Sequence, residues 1–173
     1  MTSVIQTERL ALRELTADDL PELNRMLGDP EVMSYYPAPW PPPKVDAWLE
    51  RNRLSYENHG HGIWAIERRS DGSFLGECGL LWQEVEGVRD VEIGWHVHKE
   101  HWRQGIASEA AAACRDHAFE KVGLDRVISI ILPANIPSRG VAEKIGMTVG
   151  WEADFHGLHH LIYTQANPAT STG

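Results

Sequence analysis

One stretch of sequence decides the fold: Val91-Glu92-Ile93-Gly94-Trp95-His96-Val97-His98, followed by Trp102-Arg103-Gln104-Gly105-Ile106-Ala107. The first segment has the two-residue alternation of a strand, so its odd-numbered residues share one face and its even-numbered residues the other. The second segment leads into an alanine-rich helix that ends at Gly123, and the very hydrophobic segment Val127–Leu132 follows. A strand, a helix and a second strand in this order predict a right-handed parallel crossover.

The flanking sequence adds helices and strands on both sides of this crossover. Helices are predicted between Thr16 and Gly28, from Val45 to Gly60, and after Pro137. The remaining predicted strands are Leu10–Glu14, Ile63–Glu67, Phe74–Leu81, Thr148–Phe155 and Leu158–Gln165, with a turn at Ser70–Ser73 and a polar loop over Gln83–Asp90. This order predicts one mixed α+β (α/β) domain over residues 1–166, and the polar segment 167–173 is expected to be a flexible tail.

Composition and charge limit the partners of the protein. The 173 residues have a formal net charge of −9, which disfavours nucleic acid and anionic membranes and favours cationic ligands such as amines. No apolar stretch is long enough to cross a bilayer, and the first residues lack a secretory signal. Cys78 and Cys114 fall in a predicted strand and a predicted helix, which argues against a disulfide framework. We therefore expect a cytoplasmic protein, as a monomer or a homodimer.

The segment from Trp102 to Ala107 has the features of an anion-binding loop. The start of a helix leaves several backbone N–H groups unpaired, and the helix dipole favours an anion there. Gly105 allows close approach to the backbone, and Arg103 adds a cation. The segment matches neither the G-x-x-x-x-G-K-[ST] nor the G-x-G-x-x-G pattern of nucleotide-binding loops. An ordinary turn with a glycine is the alternative interpretation of these six residues.

Two further segments favour the binding loop: Trp95-His96-Val97-His98, directly upstream, and Asn135-Ile136-Pro137-Ser138-Arg139-Gly140, after the next strand. With the loop, they resemble the GNAT superfamily of acyl-CoA-dependent N-acyltransferases. Thr7-Glu8-Arg9-Leu10, Asp29-Pro30-Glu31-Val32 and Glu92-Ile93-Gly94-Trp95 are most similar to its RimJ/RimL-type branch, which is best known for acetylating N-termini of ribosomal proteins. The resemblance implies a GNAT fold, with a central mixed sheet of six to seven strands, splayed parallel strands 4 and 5, and about four helices.

The resemblance also implies where acetyl-CoA binds. In the family its pantetheine arm lies between the two splayed strands, and the loop amides hold its pyrophosphate. The cofactor-binding residues implied for this chain are His96, Val97, His98, Trp102, Arg103, Gln104, Gly105, Ile106, Ala107, Asn135 and Ser138. Trp102 stands where many relatives have Gln or Arg, and an aromatic residue there is common in the RimJ/RimL-type branch. The histidine-rich segment has no Cys at ligand spacing, so no metal site is expected.

The implied chemistry is direct attack of an amine on the thioester. An alkyl amine has a pKa near ~10, so at neutral pH it must first lose a proton. Glu92 is the first candidate for the base, acting through a water, and Glu77 is the second; one of the histidines is an alternative base. Ser138 is the candidate acid for the departing thiolate, since the position where many relatives have Tyr is Ala142 in this chain. Solvent-facing carboxylates and a helix-capping hydroxyl are the alternatives for these residues.

The resemblance also implies that aromatic residues border the acceptor site. Tyr35, Tyr36 and Trp40 lie in a proline-rich connection and can receive an ammonium group, with Trp82 and the loop after it on the opposite side. Covering of the sheet edge is the alternative role for them. The predicted activity is transfer of acetyl from acetyl-CoA to a primary amine, either a protein N-terminus or a small molecule. The alternatives are a longer donor such as succinyl-CoA, a non-catalytic acyl-CoA-binding module, and a ligand-binding domain unrelated to CoA.

Overall fold

The computed structural model describes residues 2–170, which form one eight-stranded sheet and four α-helices. The strands are β1 (Ile5–Gln6), β2 (Leu10–Glu14), β3 (Ile63–Arg68), β4 (Phe74–Val85), β5 (Val88–Val97), β6 (Arg126–Ile131), β7 (Thr148–Phe155) and β8 (Leu158–Ala166). The helices are α1 (Leu20–Leu27), α2 (Pro42–His59), α3 (Ile106–His117) and α4 (Ile136–Lys144). The strand order is β1-β2-β3-β4-β5-β6-β8-β7, with β5 and β6 parallel. The α+β prediction is confirmed. The sheet has eight strands rather than six to seven because the short β1 pairs with β2.

The strands β4 and β5 form one long hairpin. Gln83 pairs with Asp90, so the prediction of a polar loop over Gln83–Asp90 is wrong. The two turn residues, Glu86 and Gly87, have φ angles of 48° and 82°, which is the left-handed backbone of tight turns between antiparallel strands. Polar side chains are compatible with pairing in this segment because an antiparallel strand can expose one of its faces to solvent.

Helices cover both faces of the sheet. On one face the small side chains of α3, among them Ala110 and Cys114, are buried against the sheet, and the Cys114 sulfur lies 3.7 Å from that of Cys78 with both cysteines free. On the other face α1 and α2 bury Leu15, Leu23, Met26, Leu27, Met33, Val45, Leu49 and Ala65. The predicted alternation of β5 is confirmed, since Ile93 is buried on the face that α3 covers and His96 points to the opposite face, against Trp40. No helix in residues 2–170 is long and apolar enough to span a bilayer.

The segment after β8 begins with an anchored residue. Asn167 is buried, its backbone N–H donates to the Asp125 carbonyl at 2.7 Å, and its side-chain amide donates to the Leu124 carbonyl at 3.0 Å. The start of the segment predicted to be a tail is therefore attached to the turn that precedes β6. Residues 171–173 of that segment lie outside the described residues.

Candidate active site

A cavity of about 760 Å³, called the main cavity below, opens beside the β5–α3–β6 crossover. It lies between the end of β5, the first turns of α3 and α4, and the connection that precedes α2. Of the residues predicted from the sequence, it is lined by Tyr35, Tyr36, His96, Val97, Trp102, Arg103, Gly105, Ile106, Ala107, Asn135 and Ser138. Trp95, Ser108 and Lys144 also line it and were not predicted as site residues, and so does His101, one of the histidines considered as an alternative base. Ser108 directly follows the predicted loop, so extending the helix-start argument by one residue would have found it.

The strands β5 and β6 separate after one aligned pair, Glu92 with Ile128. In a continued parallel ladder the Ile130 N–H would donate to the Ile93 carbonyl. Instead, the Ile130 N–H donates to Glu92 Oε2 at 3.2 Å, and the Ile93 carbonyl accepts from Ser129 Oγ at 2.8 Å. Side chains therefore occupy both backbone groups of the next ladder bond, and the strands splay. The gap beyond this point is called the fork.

Backbone groups of β5 face the fork at alternate residues. The His98 N–H donates to the Leu75 carbonyl of β4 at 2.9 Å, and the same alternation directs the His96 backbone to β4. The N–H and C=O of Trp95 and Val97 point the other way, into the fork. The structure thus gives Val97 the orientation expected for a pantetheine contact, and His96 does not share it because its register partner is on β4.

The loop of residues 102–107, called the phosphate loop below, has backbone N–H groups that are positioned to bind an anion. Arg103 and Gly105 have φ angles of 60° and 76°, and turns into this left-handed region form concave nests of N–H groups. The first intrahelical bond of α3 joins the Glu109 N–H to the Gly105 carbonyl at 3.0 Å. The preceding amides of residues 106–108 are therefore the unpaired donors of the helix start, and these residues line the main cavity. This arrangement fits a pyrophosphate.

The phosphate loop is braced by the N-terminal segment. Arg9 donates to the Gln104 carbonyl at 2.9 Å and to the Glu109 carboxylate at 3.0 Å, and Thr7 donates to the same carboxylate at 2.9 Å. Gln104 thus lies beside Arg9 rather than among the residues that line the main cavity. The Thr7-Glu8-Arg9 motif has a structural role in fixing the loop.

The start of α4 is capped by Asn135, whose side-chain oxygen accepts from the Ser138 N–H at 3.2 Å. Ser138 supplies its backbone to this cap. Within residues 2–170 its hydroxyl has no hydrogen-bond partner, and the residue lines the main cavity. The helix-capping alternative for the hydroxyl is therefore not what the structure shows. Ala142, one turn later, is fully buried in the core.

A chain of hydrogen bonds leads from the main cavity into the sheet. The Tyr36 hydroxyl lies 2.8 Å from His96 Nε2, and His96 Nδ1 lies 2.9 Å from Glu77 Oε1. Glu77 is fully buried, and the Trp48 indole N–H lies 3.2 and 3.1 Å from its two oxygens. The strand register aligns Glu77 with His96. Burial raises the pKa of the Tyr36 phenol, and the charges of Glu92 and Glu77 raise it further.

Glu92 does not line the main cavity. Its carboxylate accepts from the Gln83 amide at 3.1 Å in addition to the Ile130 N–H. Burial raises its pKa, and these two hydrogen bonds oppose the shift. Glu92 thus has a defined structural contact at the fork, and its role as a base stays a prediction.

Three other residues predicted for the site lie outside the main cavity. His98 is buried, and its Nε2 lies 2.9 Å from Oε2 of Glu22 on α1. Trp82 lies on the other face of β4 and packs against the core under α3, so it does not oppose the aromatic residues before α2. Trp40 lies directly behind Tyr36, with ring centroids 6.2 Å apart. Among residues 2–170, no group of three or more His, Cys, Asp and Glu side chains is arranged to hold a metal.

Known proteins are similar to this chain in sequence and in fold. Residues 9–148 match the family model described as an acetyltransferase (GNAT) domain. The protein YkkB of Bacillus subtilis is 36% identical over 142 residues, which span 82% of this chain and 83% of YkkB. The N-acetyltransferase p20 of Bacillus licheniformis is 32% identical over 140 residues, which span 78% of this chain and 76% of p20.

Among solved structures, an acetyltransferase from Agrobacterium tumefaciens superposes with a TM-score of 0.84 at 29% identity, over 95% of this chain and 94% of the other. The expected GNAT fold, with its splayed parallel pair, is therefore confirmed. The family match, the relatives and the fork together show that this chain belongs to the GNAT family of acetyltransferases and is an acyltransferase.

Proposed function

We propose that the protein transfers the acetyl group of acetyl-CoA to a primary amine by direct attack in a ternary complex. One observation supports this most: the fork, the phosphate loop and the Tyr36 hydroxyl all open into one cavity. In this proposal the Val97 backbone bonds the pantetheine arm as an added strand, and the unpaired amides of residues 106–108 hold the pyrophosphate. When bound, acetyl-CoA supplies the thioester carbonyl that the amine attacks.

A contact within the protein links the two halves of this coenzyme site. The Trp102 indole N–H donates to the Val97 carbonyl at 2.8 Å, which ties the phosphate loop to the edge of the fork. A carbonyl oxygen has two lone pairs, so this carbonyl can still accept a pantetheine N–H. Trp102 therefore sets the spacing between the strand and the loop, which suits its position at the loop's first residue.

The acceptor end of the cavity suits an amine. Tyr35 and Tyr36 border it with partly exposed side chains, and the carboxylates of Glu77 and Glu92 lie close enough to the Tyr36 hydroxyl to act on it electrostatically. Aromatic faces and negative charge favour an incoming ammonium group, as does the net charge of −9. Ser138, whose hydroxyl is uncommitted within residues 2–170, is the proposed donor to the departing sulfur.

A protein N-terminus is the acceptor favoured by the RimJ/RimL-type motifs. YdaF of Bacillus subtilis, named as a proposed ribosomal N-acetyltransferase, is 34% identical over 99 residues, which span 54% of this chain and 53% of YdaF. The structure of RimL, titled a ribosomal L7/L12 α-N-protein acetyltransferase, has a TM-score of 0.76 at 16% identity, which supports the fold alone. A small aromatic amine is the second candidate, since the acceptor end is lined by tyrosines.

Calorimetric titration with acetyl-CoA, succinyl-CoA and free CoA tests the donor site. Gly105→Glu should abolish binding, because it adds a side chain and a negative charge to the phosphate loop; a Cβ there lies 3.4 Å from a guanidinium nitrogen of Arg9. Gly123→Glu is the matched control: it adds the same charge at a φ of 80°, at the other end of the α3 segment, with nothing within 4 Å of the new Cβ. Left-handed backbone costs a non-glycine residue about 1–2 kcal/mol, so both variants have similar strain.

The outcomes separate the candidate functions. Acetyl-CoA binding that is lost in Gly105→Glu and kept in Gly123→Glu supports the proposal. Absence of binding to all three ligands by the wild type overturns it. Binding that survives Gly105→Glu contradicts the phosphate-loop assignment. Binding without thiol release, when peptides and small amines are screened, would identify a non-catalytic acyl-CoA-binding module instead.

A further inference from the structure

The buried carboxylate of Glu77 is arranged to orient a histidine. Glu77 has no solvent exposure, and its polar neighbours are the Trp48 indole and His96 Nδ1. An indole N–H can only donate, so it satisfies the carboxylate without competing for a proton. A carboxylate that accepts from Nδ1–H fixes an imidazole in one orientation and leaves Nε2 unprotonated, which is the arrangement of a histidine base held by an acidic partner.

The other ring nitrogen of this histidine, Nε2, faces a tyrosine. With Nδ1 protonated, Nε2 is an acceptor, and the Tyr36 hydroxyl at 2.8 Å donates to it. The phenol oxygen keeps its lone pairs for a group in the main cavity, which Tyr36 lines. The three groups thus form an ordered path for one proton, from the cavity through the phenol to the imidazole.

We propose that Tyr36, His96 and Glu77 form a proton relay that prepares the acceptor amine, an inference that rests on the proposed function. The phenol oxygen of Tyr36 accepts one proton from the bound ammonium group while its own proton passes to His96 Nε2. Glu77 stabilises the resulting imidazolium and is a positioning residue. The nitrogen–carbon bond then forms and the carbon–sulfur bond breaks. The second amine proton leaves with the sulfur, and His96 returns its proton to solvent.

Glu92 is not a member of the relay, because its oxygens are bound at the fork. Glu92 is on the same strand as His96, but its oxygens accept from the Gln83 amide and the Ile130 N–H at the fork. The charged groups facing the relay are Glu77 from β4 and Glu92 from β5, and Arg51 of α2 acts on Glu92. Glu77 bonds His96 Nδ1 directly, so its negative charge can stabilise the imidazolium that forms when the proton is passed on. The raised pKa of Tyr36 keeps its hydroxyl protonated between transfers.

Rates with two primary amines test the relay. Phenethylamine and a tetrapeptide with a free N-terminus serve as probes, and thiol release measures turnover. His96→Gln and Tyr36→Phe should each lower kcat/KM at pH 7 by ~10²–10⁴, the usual contribution of a positioned acid or base. Glu77→Gln should lower it by a similar factor, because an amide can donate to Nδ1 and so favour the tautomer with Nε2 protonated. His159→Gln, on the exposed β7–β8 hairpin, is the control and should keep the wild-type rate.

A pH profile distinguishes a relay from a structural role. In His96→Gln only the free amine reacts, so kcat/KM should rise about tenfold per pH unit up to the pKa of the amine, and activity returns at high pH. In the wild type kcat/KM should reach a plateau at a pH below the pKa of the amine. A variant that had merely lost its fold would show no such recovery, and calorimetry should show acetyl-CoA binding retained in all three relay variants.

The tautomer of His96 gives a readout that needs no acceptor. Nitrogen-15 NMR of labelled imidazoles should show Nδ1 protonated and Nε2 unprotonated in the wild type, and the Nε2 signal should move in Tyr36→Phe. Protonated Nε2 in the neutral ring, or an unchanged rate in His96→Gln, overturns the relay alone. A wild type that binds no acetyl-CoA or acetylates neither amine probe overturns the proposed function, and the relay with it.

Discussion

Removal of both side-chain contacts at the fork should let β5 and β6 form one more ladder bond. Glu92→Leu removes the acceptor of the Ile130 N–H, and Ser129→Ala removes the donor to the Ile93 carbonyl. Each single change leaves one backbone group unpaired. In the double variant the two exposed groups can bond each other, as a regular parallel ladder requires.

The magnitudes follow from the hydrogen bonds involved. An unpaired buried backbone group costs about 1–3 kcal/mol, so each single variant should be destabilised by about that amount, or by roughly 2–4 °C in Tm per kcal/mol. The double variant avoids both penalties and gains one hydrogen bond with a net value of about 1 kcal/mol. Its destabilisation should therefore be smaller than the sum of the two single variants by at least about 3 kcal/mol, which is a coupling well above the noise of additivity.

Closing the fork should also weaken coenzyme binding. Paired strands lie about 4.8 Å apart, which leaves no room for a pantetheine arm between them. The double variant should lose at least about tenfold in acetyl-CoA affinity, which corresponds to about 1.4 kcal/mol. Glu92→Gln keeps an oxygen for the Ile130 N–H and is expected to retain acetyl-CoA affinity.

Urea unfolding followed by tryptophan fluorescence gives the stabilities, and calorimetry gives the affinities. If the two substitutions are additive to within about 0.5 kcal/mol and the double variant binds acetyl-CoA like the wild type, side chains do not hold the fork open. That result would refute the idea that Glu92 and Ser129 cause the strands to splay.

Two further predictions concern the loop brace and acid stability. Arg9→Gln removes the contacts to the Gln104 carbonyl and Glu109, so calorimetry should show acetyl-CoA affinity lowered by roughly fivefold. The free energy of unfolding should change by less than about 1 kcal/mol, because the ion pair is partly exposed. Unchanged affinity would show that the contacts of Arg9 are not needed to hold the phosphate loop. Burial lowers the pKa of His61 in the folded protein below its ordinary value of 6.5. Between these two pKa values the unfolded chain binds more protons than the folded protein. The stabilising contribution of neutral His61 is therefore complete above pH 6.5 and is lost as the pH falls through the folded-state pKa. Urea unfolding at pH 7.5 and 5.5 should therefore show a smaller acid-induced loss in His61→Gln than in the wild type, and an equal or larger loss would count against this reasoning.

Patterns within single segments of the sequence were sufficient to predict most of the strands and helices. The alternation of β5 and the alanine-rich stripe of α3 predicted strand and helix correctly, because burial on one face imposes a period that a single segment displays. The segment Gln83–Asp90 was mispredicted because its polar residues resemble a loop. Its pairing comes from the partner strand and from left-handed backbone at Glu86 and Gly87, which composition alone does not show.

The candidate site was predicted in part. The phosphate loop was predicted because a helix start exposes backbone donors wherever it occurs, and that signal is local. Asn135 was implied by the resemblance to GNAT proteins. His96 was expected to contribute its backbone, Glu77 was the second candidate base, and the histidines were an alternative base, but no contact between Glu77 and His96 was predicted. Their contact depends on the register of β4 with β5, and the contact of Tyr36 depends on where the connection before α2 returns to the sheet.

By itself, the sequence determined the order of strands and helices, the crossover, the anion-ready helix start and the resemblance to GNAT proteins. These follow from periodicity, glycine positions and motifs that act within a few residues of one another. Tertiary structure alone decided that Glu92 and Ser129 occupy the backbone groups of the missing ladder bond, and that Tyr36, His96 and Glu77 meet. The physical reason is that hydrogen bonds between distant residues depend on strand register and packing, which no single segment of the chain specifies.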